Sequence, residues 1–401
     1  MNSLKKAYCR IYQKAFWLAL PVLPYTEPKL LHGMGSVTPL LKKKGISSVL
    51  IVSGRTAHRH PLTQRLEKKL EEAGIRFAVY DKTVPNPTIS NIEEATQLYH
   101  EIDAQAILSI GGGSVMDCAK IVGARVARPN LPVSKMKGLL KILRPTPLSI
   151  AIPTTAGSGS ETTLAAVITD DETHYKYPIN DFVLIPDYAV LVPDLTVGLP
   201  KHLTSTTGMD ALTHAVEAYI GHSTNKLTRD MSEEAVCLIV KYLRRAYEDG
   251  SDIEARRQML RASYCAGVSF TRSYVGYVHA VAHSLGGQYG IAHGLANAVI
   301  LPYFLEEYGT DCSRKLAKLS RLSGISDRNA SDGKASAEFI QWIKDMNASM
   351  DIPDKIPEIR REDIPEMAKR ADKEANPLYP VPRLLDRRAL EEMYERLMPQ
   401  G

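Results

Sequence analysis

At 401 residues, 44% of them hydrophobic and 24% charged, the chain is too long for one hydrophobic core and too apolar for a disordered or fibrous protein, so two folded domains are expected. A formal charge of +5 is small for this length, and the basic clusters (Lys42 to Lys44, Arg244 with Arg245, Arg360 with Arg361, Arg387 with Arg388) are scattered among acids, which argues against a nucleic-acid surface. Five cysteines, odd in number and never in a Cys-x-x-Cys pair, argue against a disulfide framework or a thiolate metal site and fit a reducing cytoplasm.

In chain order, Lys5, Lys6, Arg10 and Lys14 precede the apolar run Phe16 to Leu23, which superficially suggests a signal peptide. Pro21 and Pro24 interrupt the run, it is too short to span a bilayer, and no small-residue cleavage site follows, so neither export nor a membrane partner is expected. Residues 1–27 read as an amphipathic extension, a short helix packed on the body or on a partner subunit rather than on a membrane surface.

From residue 28 the pattern alternates. Ser48 to Ser53 (SVLIVS) is a compact β-branched strand, Leu62 to Ala73 has helical spacing closed by Gly74, and Arg76 to Tyr80 is a strand again. Ser90 and Glu93 form a capping-box signature for a helix running to about Glu101. Ala106 to Ile110 is a strand that enters Gly111-Gly112-Gly113-Ser114 and then a helix; Leu148 to Ile152 is another, feeding the small-residue loop Pro153 to Glu161. This alternation predicts βαβ units and a mostly parallel sheet over residues 28–195, with helices on both faces. Pro178, Pro186, Pro193 and Pro200 rule out one continuous helix and mark the domain boundary. Residues 196–401 read as helical, over Gly208 to Tyr219, Met231 to Tyr247, Ile253 to Val268, Val278 to Gly286, Leu316 to Leu322 and Ala335 to Met346.

Two Gly-rich loops leave predicted strands, at the sheet edge where open α/β folds bind ligands. GGGSVMDCAK (Gly111 to Lys120) lets the backbone approach a phosphate at a helix N-terminus, although Met116 stands where the usual dinucleotide fingerprint needs a third glycine. The loop Thr154 to Ser160 adds hydroxyl donors without bulk. In the second half, Asp210 and His214 are four apart in GMDALTHAVEAY and share a helix face. His279 and His283 are four apart in GYVHAVAHSLGGQYGIAHGLANA, and His293 follows after Gly286-Gly287. A lone histidine of this kind is usually a core or capping residue, but four in these two stretches with an aspartate suggest a metal site.

GGGSVMDCAK, IPTTAGSGSE, GMDALTHAVEAY and HAVAHSLGGQYGIAHG, in this order and with PNPT at Pro85 to Thr88, resemble the iron-containing alcohol dehydrogenases from about Pro28 to the C-terminus. The resemblance implies a nucleotide-binding α/β domain followed by an all-helical metal-binding domain, with the active site in the cleft between them. It implies Asp210, His214, His279 and His293 as metal ligands. Gly113, Ser114, Thr154, Thr155, Ser158 and Lys176 would contact the dinucleotide, with Gly112 and Asp117 taken as further cofactor-binding candidates. His283 matches a residue beside the substrate that does not ligate the metal, and is the candidate proton relay, with Tyr274, Tyr277 and Tyr379 as candidate pocket residues.

The implied reaction is hydride transfer between a small alcohol, or its aldehyde, and NAD or NADP, with Fe(II) as metal and zinc as its competitor. Many NAD-using members carry Asp after the strand that matches Leu50 to Ser53; here Gly54 and Arg55 stand there, so NADP acceptance is expected. The alternative is a turn in which Gly54 serves backbone geometry. A homodimer is expected from the family. The runner-up is a zinc-using polyol dehydrogenase or dehydroquinate-synthase-like enzyme on the same architecture; a binding protein on a degenerate enzyme fold is the option from another class.

Overall fold

The computed structural model describes residues 1–172 and 176–399. Two compact units result: one is Pro24–Val197, the other joins Met1–Leu23 to the chain from Gly198 onward.

The first unit is built on strands β1 (Lys29–His32), β2 (Ser48–Ser53), β3 (Arg76–Tyr80), β4 (Ala106–Gly111), β6 (Leu148–Pro153) and β9 (Tyr188–Leu191), in the order β1-β9-β6-β4-β2-β3 and all parallel. Every residue of β2 and β4 is buried, because helices cover both faces and a strand in such a sheet has no solvent side to alternate toward. One face packs under α5 (Ile89–Glu101) and α6 (Gly113–Ala127) around Leu50, Val52, Ile107 and Ile121; the other packs under α2 (Val37–Lys43) and α4 (Pro61–Glu72) around Val49, Ile51, Leu108 and Leu70. A small second sheet places β8 (Lys176–Asn180) between β5 (Gly138–Leu139) and β7 (Ala165–Thr169); Pro178 of β8 pairs with Val167 of β7 alone, since β5 pairs only with Ile179 and Asn180. The registers Ser53↔Ile110 and Gly111↔Pro153 bring the ends of β2, β4 and β6 to one edge, followed directly by Gly54, Gly112 and Thr154.

The capping box lies two residues before the expected one. Thr88 Oγ1 accepts the Asn91 N–H at 3.2 Å, and Asn91 Oδ1 accepts the Thr88 N–H at 3.3 Å. Thr88 is extended, as a cap must be; Ser90 is already helical, with its N–H on Asp171, and Glu93 pairs instead with Arg125 at 2.8 Å.

The second unit is helical: α1 (Ser3–Ala19), α7 (Lys201–Ile220), α8 (Lys226–Glu248), α9 (Ile253–Ser273), α10 (Tyr277–Tyr289), α11 (His293–Tyr308), α12 (Thr310–Ser323), α13 (Asp332–Ser349), α14 (Ile364–Ala375) and α15 (Arg387–Leu397). Helix α1 docks through Cys9 and Gln13, both buried, while Leu4, Tyr8, Ile11 and Leu18 on its other side are exposed. Gln13 Nε2 donates to the Tyr379 carbonyl at 2.7 Å, and Arg10 donates to the Val381 and Pro382 carbonyls at 2.7 and 2.8 Å. No helix among the described residues is long and apolar enough to cross a membrane.

Candidate metal centre and nucleotide loops

Helix α7 carries Asp210 and His214 one turn apart on a face that is buried throughout. Helix α10 brings His279, ends at Gly290 in the left-handed conformation, and the chain turns so that His293 opens α11. Gly294 makes this return close: a β-carbon there would lie 2.6 Å from the Thr206 carbonyl oxygen of α7. Any side chain at 294 would hold α11 away from Asp210.

The ligand atoms of Asp210, His214, His279 and His293 all lie within 4.8 Å of one another. His214 stacks between Phe270 (4.0 Å) and His279 (4.5 Å), which fixes its ring plane. His279 is 2% exposed, and burial together with the neighbouring imidazoles holds its pKa well below the usual histidine range. Its Nδ1 lies 2.6 Å from Glu217 Oε2, while Glu217 Oε1 accepts the Val278 N–H at 2.9 Å. Burial pushes the Glu217 carboxyl up to about 8, against the pull of those backbone donors. When Glu217 is ionised it accepts the Nδ1–H of His279, which leaves His279 Nε2 with its lone pair toward the cluster. Three imidazoles and a carboxylate, converged and largely buried, are a donor set that fits a divalent ion.

His283 is not one of the four but lies beside them, its ring stacked on that of His293 at 5.1 Å. It is 38% exposed, its Nδ1 is 2.7 Å from Glu374 Oε1, and the Tyr379 hydroxyl donates to the same oxygen at 2.8 Å. Tyr277 is fully buried, with its hydroxyl on Asn376 and the Leu385 carbonyl, and Tyr274 packs against Phe16 at 4.9 Å.

In the α/β unit, the loops after β4 and β6 interlock. Thr154 N–H bonds the Gly111 carbonyl at 3.0 Å, and a β-carbon at Gly113 would meet Ser158 Oγ at 2.9 Å. Gly112, Gly113, Ser114, Thr154, Thr155 and Ser158 are all partly exposed along this edge. The room that glycine leaves there, beside the opening turn of α6, suits a phosphate. Ser114 Oγ accepts the Asn86 N–H at 3.2 Å, and Lys176 Nζ reaches Asn86 Oδ1 at 2.6 Å, so the PNPT segment, Ser114 and Lys176 form one patch. Asp117 bonds inward, to Ser160 Oγ at 2.8 Å and the Val167 N–H at 3.0 Å, and so anchors the second loop. Lys120 holds the same loop through Ser160, Thr163 and Ala165; burial lowers its pKa to about 8 and raises that of Glu161 to about 7.

Gly54 has φ −105° and ψ 155°, an ordinary extended backbone, and a β-carbon there would meet nothing nearer than 3.8 Å. Arg55 is exposed beside it, and Asp81 at the end of β3 is engaged by His58 at 2.9 Å.

Two residues beyond the expected set hydrogen-bond to the cluster: Glu217 to His279, and Asn297, whose Nδ2 donates to Asp210 Oδ1 at 2.7 Å. Glu217 lies three residues beyond His214 and Asn297 four beyond His293, so the helical spacing that marks the ligands also marks them.

Residues 28–193 match the iron-containing alcohol dehydrogenase model and residues 204–398 match the model of the Fe-containing alcohol dehydrogenase family, C-terminal. The chain belongs to the iron-containing alcohol dehydrogenase family. Among relatives of this iron-containing alcohol dehydrogenase, the NAD-dependent methanol dehydrogenase of Bacillus methanolicus is 35% identical over 352 residues, covering 86% of this chain and 92% of its own. The lactaldehyde reductase of Escherichia coli (strain K12) is 33% identical over 341 residues, covering 84% and 89%. A solved structure of 1,3-propanediol oxidoreductase superposes with a TM-score of 0.89 at 32% identity, covering 93% of this chain and 99% of that one. The protein is thus an oxidoreductase that interconverts an alcohol and its carbonyl compound.

Proposed function

We propose that this dehydrogenase transfers hydride between a small primary alcohol and NAD or NADP, with Fe(II) held by Asp210, His214, His279 and His293. The convergence of those four donors within 4.8 Å carries the assignment. The absence of thiolate from the set favours Fe(II), with zinc as competitor. When bound, the ion supplies Lewis-acid polarisation of the substrate oxygen, and the nicotinamide supplies the hydride acceptor or donor. The names of the relatives, methanol dehydrogenase, lactaldehyde reductase and 1,3-propanediol dehydrogenase, support short alcohols and aldehydes as substrates.

The chain's own residues supply the rest. Gly112, Gly113, Ser114, Thr154, Thr155, Ser158 and Lys176 hold the dinucleotide, and Asp117 keeps their loops in register. The Glu374 bond at His283 Nδ1 favours the tautomer whose Nε2 is basic, so His283 takes the proton released on alcohol oxidation and returns it on reduction. Gly54 removes the carboxylate that would repel a 2′-phosphate, and its extended backbone does not require glycine, which supports use of NADP. A cytoplasmic homodimer is the assembly we assign.

The test is anaerobic Fe(II) loading followed by kinetics on C1 to C4 alcohols and aldehydes with both cofactors. His279→Ala lowers metal stoichiometry and kcat together; full turnover without metal would overturn the ligand set. Gly54→Asp lowers kcat/KM for NADP at least tenfold more than for NAD, and an unmodified enzyme that uses NAD alone would overturn the cofactor assignment.

A further inference from the structure

Helix α1 turns Arg10 and Gln13 toward the body, where they bond to backbone carbonyls of residues 379–382, and Cys9 is buried on the same side. The opposite side carries Leu4, Tyr8, Ile11, Ala15 and Leu18, spaced by four and three residues so that they form one row along the helix. All five are exposed, and the four large ones are each more than half exposed. Apolar side chains scattered singly over a surface need no explanation, but a continuous row of them calls for a partner.

The charges around the row indicate its chemistry. Ser3–Ala19 holds Lys5, Lys6, Arg10 and Lys14 and no acid. At about 3.6 residues per turn, Lys5 falls along one margin of the row and Lys14 along the other. Tyr8 and Tyr12, with rings 6.4 Å apart, lie toward the Lys5 margin. Among the described residues the carboxylates paired with this segment are Asp372, on Lys5 at 3.0 Å, and Asp386, on the N-terminal amine, while Lys6 and Lys14 pair with none. Four-three spacing is also that of a coiled-coil seam, but a second copy of α1 would bring cations against cations with no acid to bridge them. An apolar row with lysines on both margins and phenols beside it is the pattern of a helix lying in a membrane interface. There the row sinks among acyl chains, lysine stems reach up to anionic headgroups, and tyrosine hydroxyls stay at headgroup level.

We propose that α1 docks this enzyme onto an anionic lipid surface through Leu4, Tyr8, Ile11, Ala15 and Leu18, with Lys6 and Lys14 supplying the attraction. The helix lies on the surface without crossing it, since no helix among the described residues is long and apolar enough to span. The expectation from sequence that this segment packs on protein holds for its Arg10 and Gln13 side alone. Attachment is reversible, because one short row buries little apolar surface and each lysine adds only about fivefold at an anionic surface.

The experiment sediments the full chain with vesicles of phosphatidylcholine alone and of phosphatidylcholine mixed with phosphatidylglycerol, at low and physiological salt. The parent binds the mixed vesicles about tenfold or more tightly than the neutral ones, and less tightly as salt rises. Ile11→Asp, at an exposed position, keeps the parent's melting temperature and loses about tenfold or more in affinity. Lys6→Gln combined with Lys14→Gln costs about 25-fold on mixed vesicles and leaves the weak neutral binding unchanged. No binding to mixed vesicles, equal binding to both kinds, or binding that survives Ile11→Asp would each overturn the proposal. A parent that ignores vesicles but falls in mass on Ile11→Asp, read by sedimentation velocity, would give this face to a second copy. If Ile11→Asp does not fold, Leu18→Asp and the double lysine variant decide by the same readings.

Discussion

Glu217 decides which nitrogen His279 offers to the cluster. Its Oε1 is committed to the Val278 N–H and its Oε2 to His279 Nδ1, so the ionised carboxylate keeps the imidazole proton on Nδ1 and its lone pair on Nε2. Glu217→Gln tests this without changing shape. The amide oxygen must take the backbone N–H, which puts the NH2 against Nδ1; Nδ1 becomes an acceptor and the proton moves to Nε2, the atom meant for the metal. Metal affinity should fall about 10- to 100-fold in a chelator competition, with thermal stability of the metal-free protein little changed. Equal affinity in both proteins would reduce Glu217 to a structural carboxylate. Spacing in the sequence marks Asp210, His214, His279, His283 and His293 together, and only the family resemblance separates His283 from the other four. Glu217 and Asn297 share that spacing, but a carboxylate amid alanines and an amide in LANA look like packing and polar filler until the third dimension shows what they touch.

Helix α1 shows the same division at the scale of an element. The sequence pattern marks an amphipathic segment, and the structure reveals that its buried side is the one carrying Gln13 and Arg10, bonded to backbone carbonyls of residues 379–382, while its exposed side is apolar. Hydrophobic periodicity alone would dock the opposite face. Gln13→Ala strips a donor from the buried Tyr379 carbonyl and should destabilise the helical unit by about 1–3 kcal/mol, read as a lower Tm. Ile11→Lys, at a position 69% exposed, should leave Tm within error; the reverse ranking would show that α1 docks through its apolar side. The long elements were legible for physical reasons. β2, β4 and β6 are near-continuous apolar runs before turn residues, as strands buried on both faces must be. β1, β8 and β9 were not, because four or five residues, or a proline, carry no periodicity of their own and become strands only by pairing. Helix α11 is apolar on every side and contains Pro302, so no single face marks it either.

At the scale of the whole molecule, each ligand belongs to one compact unit. The Gly-rich loops lie within Pro24–Val197, and the metal cluster lies on α7, α10 and α11 of the helical unit, three helices joined by sequence-distant donors. A ligand that binds the folded state alone stabilises it by about 2.7 kcal/mol at a hundredfold excess over Kd, and that gain protects only the segments whose opening breaks the site. Loading Fe(II) should therefore slow amide hydrogen exchange in α7, α10 and the first turns of α11 by up to about 100-fold, where exchange proceeds through openings that separate the ligands. NADP added without metal should instead protect the opening turn of α6 and the loop after β6, including the Thr154 N–H that bonds Gly111. The two footprints are expected to add when both ligands are present. Iron protecting the β4–α6 turn in place of α7 and α10 would mean that the four residues are not the metal site. A nicotinamide footprint missing from both glycine-rich loops would mean that the cofactor is held elsewhere.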